Sequence, residues 1–262
     1  MANTIDWGQG AVNNTIDWGK GKTNNTIDWG SIYDDTPTGE TNIIGGSSFT
    51  NTYSMSFDGV DEYFGAGNDA SRKVQTLTMS VWVKPTASAS DPILLNGHPS
   101  YGNQGIEIFW NFNLFRVRIN GTSYGLGLGS GQNNWTHIVI SYDGNTLKRM
   151  TNGVAIADVV VGSTINYTNY SGLLIGLSPS GYYKGLIDEV AFWDSDQSAN
   201  FITIYNSGVP SDLTSLSPLN WYRMGDNDTW NGSTWTLTDN GSGGNDATSV
   251  YMEEGDRVTD VP

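Results

Sequence analysis

Between Ser54 and Trp193 the chain is written as short runs in which apolar and polar residues alternate, each closed by Gly, Asn, Asp or Pro, a pattern that suits strands and almost nothing else. In LTMSVWVKP (77–85), Leu77, Met79, Val81 and Val83 fall on one face and Trp82 on the other, and Pro85 ends the run. Met55 and Phe57 share a face in SMSF. GIEIFW (105–110) and LFRVRING (114–121) read as a hairpin through 111–113, with Arg116 and Arg118 turned to water. WTHIVISYDG (135–144) is apolar on both faces and belongs in the middle of a sheet. Asn152-Gly153 joins two further runs as a tight hairpin turn. LLIGLS (173–178) and GLIDEVAFWD (185–194) follow, after which Phe201, Ile204 and Tyr205 switch to helical spacing and Gly208 closes the turn. About ten short strands and one helical turn make an all-β fold, a two-sheet antiparallel β-sandwich of jelly-roll type.

Composition agrees: 33 Gly, 10 Trp and 13 Tyr favour strands and turns over helices. With 12 basic and 27 acidic side chains the net charge is -15, and the basic residues form no patch, so neither nucleic acid nor an anionic membrane is an expected partner. There is no cysteine, which removes disulfides and thiolate metal sites and leaves packing to hold the fold. No apolar run reaches the ~18 residues of a membrane span, and MANTIDWG lacks the basic and apolar regions of an export signal.

Ahead of the strands, NTIDWG occurs three times at a period of eleven, placing Ile5, Ile16 and Ile27 with Trp7, Trp18 and Trp29. Gly, Asn and Thr at the other positions argue against a helix, so each repeat reads as a short strand with Ile and Trp on one face. Three such strands cannot bury that face alone. Residues 1–36 are therefore expected to be an anchor or oligomerisation segment that pairs with sister chains or another protein, 37–50 a linker, and 51–262 the sandwich.

SMSFDGVDEYF, LTMSVWVKP, NNWTHIVISYDG, TNGVAIAD and GLIDEVAFW, in that order and followed by SANFITIYNSG, resemble the laminin G-like or concanavalin A-like lectin/glucanase module over about 53–209. LNWYRMGDN (219–227) and LTDNGSGGNDAT (237–248) resemble the strand and loop that precede the SFDG segment in that family. The expectation is a permuted arrangement in which 219–251 return beside 53–57. The segment order, repeat style and acidic ending are similar to structural proteins of tailed phages from aquatic bacteria.

Shared fold with laminarinase-type hydrolases raises the question of catalysis. Glycoside hydrolysis needs two carboxylates facing each other across the bond. Asp188 and Glu189 are sequence neighbours that alternation sends to opposite faces, and Glu107 has Phe109 where a second acid would stand. His137, within an apolar strand, reads as structural, and no nucleophile elbow is present. A non-enzymatic protein is expected.

The resemblance implies a structural calcium near Asp58 and Asp188, the latter placed by alternation on the apolar face with Leu186, Val190 and Phe192; the alternative is that Asp188 caps turn amides without metal. It also implies sugar binding through aromatic platforms, for which Tyr101, Trp110, Tyr124, Tyr182 and Tyr183 lie in or beside loops. Together these give a lectin-like sandwich on a virion, as a capsid decoration or fibre protein, made in the host cytoplasm and released by lysis. It is expected to form homo-oligomers or join other virion proteins through residues 1–36, and to meet cell-surface glycans. The competing readings are a free carbohydrate-binding or adhesion module of a bacterial surface protein and, behind it, a glycoside hydrolase.

Overall fold

The computed structural model describes residues 4–6, 15–17, 49–87, 90–100 and 102–262. Residues 1–48 and 49–262 are separate units. In the first, the strands Thr4–Asp6 and Thr15–Asp17 pair antiparallel with Ile5 opposite Ile16, so two of the three repeats form a ladder. Trp7, Trp18, the third repeat with Ile27 and Trp29, and most of the linker lie outside the described residues.

The second unit is a sandwich of two antiparallel sheets. In one, the order is 154–160, 146–151, 136–142, 77–85, 184–193, 54–58 and 257–258, with 220–222 also paired to 184–193. In the other it is 229–230, 235–237, 247–250, 63–65, 172–175, 90–97, 105–111, 114–119 and 122–127. Leu77, Met79, Val81 and Val83 point between the sheets onto Ile106, Ile108, Val117 and Ile175, as their spacing requires. Strand 136–142 is buried throughout, between 146–151 and 77–85. Asn152 and Gly153 both take positive φ in their hairpin, the geometry of a type I′ turn.

On the outer side of the eight-stranded sheet, Val139, Met150, Ala191 and Trp193 are covered by Phe201, Ile204 and Leu213, from the helical stretch Ser198–Gly208 and the loop after it. The left-handed residue closing the helix Phe201–Tyr205 is Asn206 (φ 45°), so Gly208 lies beyond the cap rather than in it. His137 is fully buried, with Nε2 2.8 Å from the Ser80 hydroxyl and its ring against Trp82; burial holds its pKa down at about 3. It is a neutral structural residue.

A β-bulge between Asp188 and Ala191 changes one expectation. Ile187 faces Val83 and Phe192 faces Met79 in the core, yet two residues, Glu189 and Val190, stand between Asp188 and Ala191 where the partner strand has Val81 alone. Glu189 takes up the surplus at φ 46°. Asp188 therefore shares the outer face with Trp82 instead of the inner face with Val190 and Phe192. Nearby, Gly185 has φ +142°, and an added Cβ would stand 2.3 Å from the Lys84 carbonyl. Gly185→Ala is expected to destabilise the sandwich by about 3 kcal/mol or more, read from the urea midpoint of the full chain.

The C-terminal residues are integral to both sheets. Strand Asn220–Tyr222 pairs with Val190–Phe192 on the edge that 54–58 occupies farther along, Ala247–Val250 pairs with Tyr63–Gly65, and Arg257–Val258 pairs with Met55 and Ser54. The Thr52 amide donates to Asp226, and the Arg223 guanidinium donates to the Thr50 carbonyl.

Candidate functional site

Each strand of the nine-stranded sheet sends alternate residues away from the core, and on 90–97, 105–111 and 114–119 this outer row reads Leu95, Glu107, Phe109, Arg116 and Arg118. Glu107 faces Leu95 on one side and Arg118 on the other. Across part of this face lies the small hairpin of Leu177–Ser178 and Gly181–Tyr182, which leaves the sheet at Gly176 (φ +87°). An added Cβ at Gly176 would meet the Phe57 ring at 2.7 Å, so only glycine permits this exit.

Beside the hairpin, Leu95, Gln104, Glu107, Arg118 and Pro179 line a narrow hollow together with Gly102, Gly105 and Gly121. Gly105 holds the strands close there: at φ +82°, its missing Cβ would lie 2.3 Å from the Asn96 carbonyl. Glu107 is 3% exposed. Its Oε2 accepts from Arg118 at 2.7 Å, and that guanidinium lies 4.3 Å over the Phe109 ring, so Arg118 covers the sheet rather than extending into water. Glu107 Oε1 is buried without a partner, and so is Gln104 Oε1. Burial raises the Glu107 pKa, opposed by a hydrogen bond with the Ser178 side chain and by the Arg118 charge.

On the Tyr182 side of the hairpin, the Tyr63 and Tyr182 rings stand 6.4 Å apart. Burial and the neighbouring Tyr182 and Tyr251 raise the Tyr63 pKa. Tyr251 is 71% exposed at φ 61°, a conformation that a bulky side chain rarely adopts.

The aromatic residues singled out in the sequence separate here. Tyr182 is half-buried beside Tyr63, and Tyr124 packs partly against the core. Trp110 and Tyr183 are fully buried, Trp110 against Phe115 and Tyr183 against Phe57, and present no face to a sugar. Their surface placement is corrected by their own alternation: Trp110 follows Ile106 and Ile108 inward, and Tyr183 shares the core with Ile187. Tyr101 lies outside the described residues. Gln104, Glu107, Arg118, Tyr63 and Tyr251 were not anticipated as site residues.

Asp58 and Asp188 do not come together. Asp58 sits opposite Lys184, four residues and about 13 Å of strand from Asp188. Asp188 is buried with Oδ1 accepting the Glu189 amide and Oδ2 accepting from Asn51 at 2.8 Å. The pair does not fit a single calcium ion with its six to eight oxygens, and no grouping of three or more His, Asp or Glu suited to a metal occurs among the described residues. Among the described residues no second carboxylate faces Glu107 across the sheet: the buried Asp91 stands opposite Trp110, whose ring is in the core, and so occupies the other side of the sheet.

Residues 57–203 match the family described as the Concanavalin A-like lectin/glucanases superfamily. No curated protein matches the chain. Among solved structures it is similar to that of "a putative carbohydrate binding protein from Bacteroides ovatus ATCC 8483", at TM-score 0.58 and 15% identity, covering 77% of this chain and 58% of that one. Weaker likenesses are to the Ruminococcus gnavus IT-sialidase CBM40 bound to alpha2,3 sialyllactose (TM-score 0.47, 14% identity, 62% of this chain and all of that one) and to a heptameric SAP-like pentraxin from Limulus polyphemus (0.45, 13%, 59% and 82%).

Proposed function

We propose a binding rather than a catalytic role for this chain, which belongs to the Concanavalin A-like lectin/glucanases superfamily: its nine-stranded sheet presents an outer face to glycans beside the 177–182 hairpin. What supports this is the outer face beside the hairpin, where Gln104, Glu107, Arg118 and Pro179 gather and Arg118 holds the Glu107 carboxylate. Gln104 and Arg118 are only partly buried there and carry amide and guanidinium N–H donors, groups that hydrogen-bond sugar hydroxyls. Glu107 with Arg118 for a partner and no facing carboxylate lacks the arrangement that glycoside hydrolysis requires. Binding of the full chain to a glycan array tests the reading: at least one glycan is bound, and Gln104→Ala weakens it about fivefold or more. A flat array contradicts it.

The same reading places the sandwich on a virion surface as a capsid decoration or fibre protein, anchored or oligomerised through the repeats. Supporting it is the antiparallel pairing of the first two repeats. Light scattering on the full chain and on residues 37–262 is expected to show an assembly only for the former, and mass spectrometry of purified particles to detect the chain. Identical monomers, or absence from particles, would favour the free adhesion module.

A further inference from the structure

We infer that the glycan site continues past the 177–182 hairpin onto a platform of three tyrosines, Tyr63, Tyr182 and Tyr251, where a second ring of the same oligosaccharide stacks. This deepens the glycan reading and rests on it. Alternation places the first phenol: Phe64 is in the core, so Tyr63 stands on the outer face of the nine-stranded sheet, opposite Val250. Gly65 is the next outward residue, and a Cβ there would lie 3.6 Å from Leu174 and 4.0 Å from the Tyr63 ring, so bare backbone separates the two side chains. Tyr182 ends the hairpin opposite Leu177, its ring 6.4 Å from that of Tyr63. Tyr251 directly follows Val250, and its phenol is near enough to add to the raised pKa of Tyr63.

Two features set these tyrosines apart from those that hold the fold. Tyr167, Tyr170, Tyr183 and Tyr222 each donate their hydroxyl to a fixed acceptor, whereas the hydroxyls of Tyr63, Tyr182 and Tyr251 have no hydrogen-bond partner among the described residues. Tyr251 also keeps a left-handed backbone, φ 61°, while 71% exposed, so burial does not offset the strain. A pyranose matches such a surface: its C–H face lies on the rings, and its hydroxyls meet phenols that both donate and accept. Register fixes how far this platform is from Arg118. Arg118, Glu107, Leu95, Leu174 and Gly65 stand opposite one another in a single row across five strands. Four strand spacings are about 19 Å, so a two-ring sugar reaches one half of the site and a chain of about four rings or more reaches both.

The test is a glycan array carrying neutral glucose, galactose, mannose and N-acetylhexosamine chains, each series printed from two to six rings and probed with the full chain. In the series that binds, chains of four rings or more are expected to bind at least tenfold better than two rings, because a second contact within one ligand multiplies the first. Tyr182→Ala and Tyr251→Gly are each expected to shrink that preference to threefold or less. Glycine takes the left-handed backbone at 251 without strain, so Tyr251→Gly is also expected to hold or raise the urea midpoint, which separates loss of the platform from loss of the fold. Tyr182→Phe keeps the ring and is expected to keep the preference within twofold; a loss equal to that of Tyr182→Ala overturns stacking. Binding independent of chain length overturns the inference and leaves the glycan reading standing, as does a preference that survives in both folded variants. A flat array overturns both.

Discussion

Raising the pH from 5.5 to 8.5 is expected to lower the unfolding temperature of the full chain's sandwich by roughly 5–10 °C. The cause is a set of carboxyl groups that folding removes from water. Asp188 is raised well above the usual carboxylate range, first by burial and then by Glu189. Glu189 is raised to about 7 by burial, against the pull of Arg223 and Trp221. Asp228 and Glu62 are likewise pushed to about 7, and Asp91 to about 6, in each case chiefly by burial.

An acid whose folded pKa is raised stabilises the native state fully below its unfolded pKa, near 4, and loses that contribution as pH climbs through the folded value. For this set the loss falls between about pH 4 and 8. His137, held at about 3 by burial, works the other way, because its contribution is present above its unfolded value near 6.5 and fades as pH falls. One histidine offsets about 1.4 kcal/mol per pH unit below 6.5, against several acids, so the descent toward alkaline pH prevails. Asp91 supplies a check within this expectation. Its Oδ2 has no partner, so Asp91→Asn removes the penalty of ionisation without breaking a bond at that atom. It is expected to stabilise the protein by about 1–2 kcal/mol at pH 8 and to change little at pH 5. A flat pH profile of the parent chain contradicts the burial of these acids.

Arg72→Met is expected to destabilise the sandwich by about 3–5 kcal/mol, enough to unfold a marginal domain at 37 °C. Arg72 is fully buried, and its guanidinium donates to the Ala66 and Gly67 carbonyls at 2.7 and 2.6 Å, with Tyr170 and Asn220 at 3.4 Å. These partners belong to the end of one sheet, the loop before 172–175, and the C-terminal strand of the other sheet. Methionine keeps much of the volume and leaves two carbonyls and two side chains without a donor. Arg116→Met, by contrast, is expected to stay within about 0.5 kcal/mol, because it changes a partly exposed side chain with no buried partner of this kind. Urea midpoints of the two variants measure the difference. A loss below about 1 kcal/mol at Arg72 would show that the C-terminal strand is held without it.

The fold was legible where periodicity and turn chemistry act locally. The alternation in 77–85 placed Leu77, Met79, Val81 and Val83 inward, and Asn152-Gly153 marked its turn because only certain residues accept two positive φ values in succession. Alternation also places Trp110 and Tyr183 inward, since both share a face with core isoleucines. What could not be read was the bulge at Glu189. A single residue in the left-handed region has no signature when it is not glycine or asparagine, yet it turns Asp188 to the outer face. The hollow was hidden for a different reason. Gln104, Glu107, Arg118 and Pro179 come from three stretches of chain, and only pairing of 105–111 with 114–119, together with the 177–182 hairpin beside them, makes neighbours of them. Glu107 stands in the sequence as a lone acid, and only the pairing with Arg118 shows that it anchors that guanidinium on the outer face.

The central claim is that the outer face beside the 177–182 hairpin binds glycans, and amide chemical-shift mapping of the full chain during titration with a neutral oligosaccharide from the array tests it most directly. The account predicts saturable shifts at Gln104, Gly105, Glu107, Gly121 and Ser180, with the core strand 136–142 unmoved. Saturable shifts confined to the opposite sheet, or to the acidic loops between 226 and 246, would contradict it.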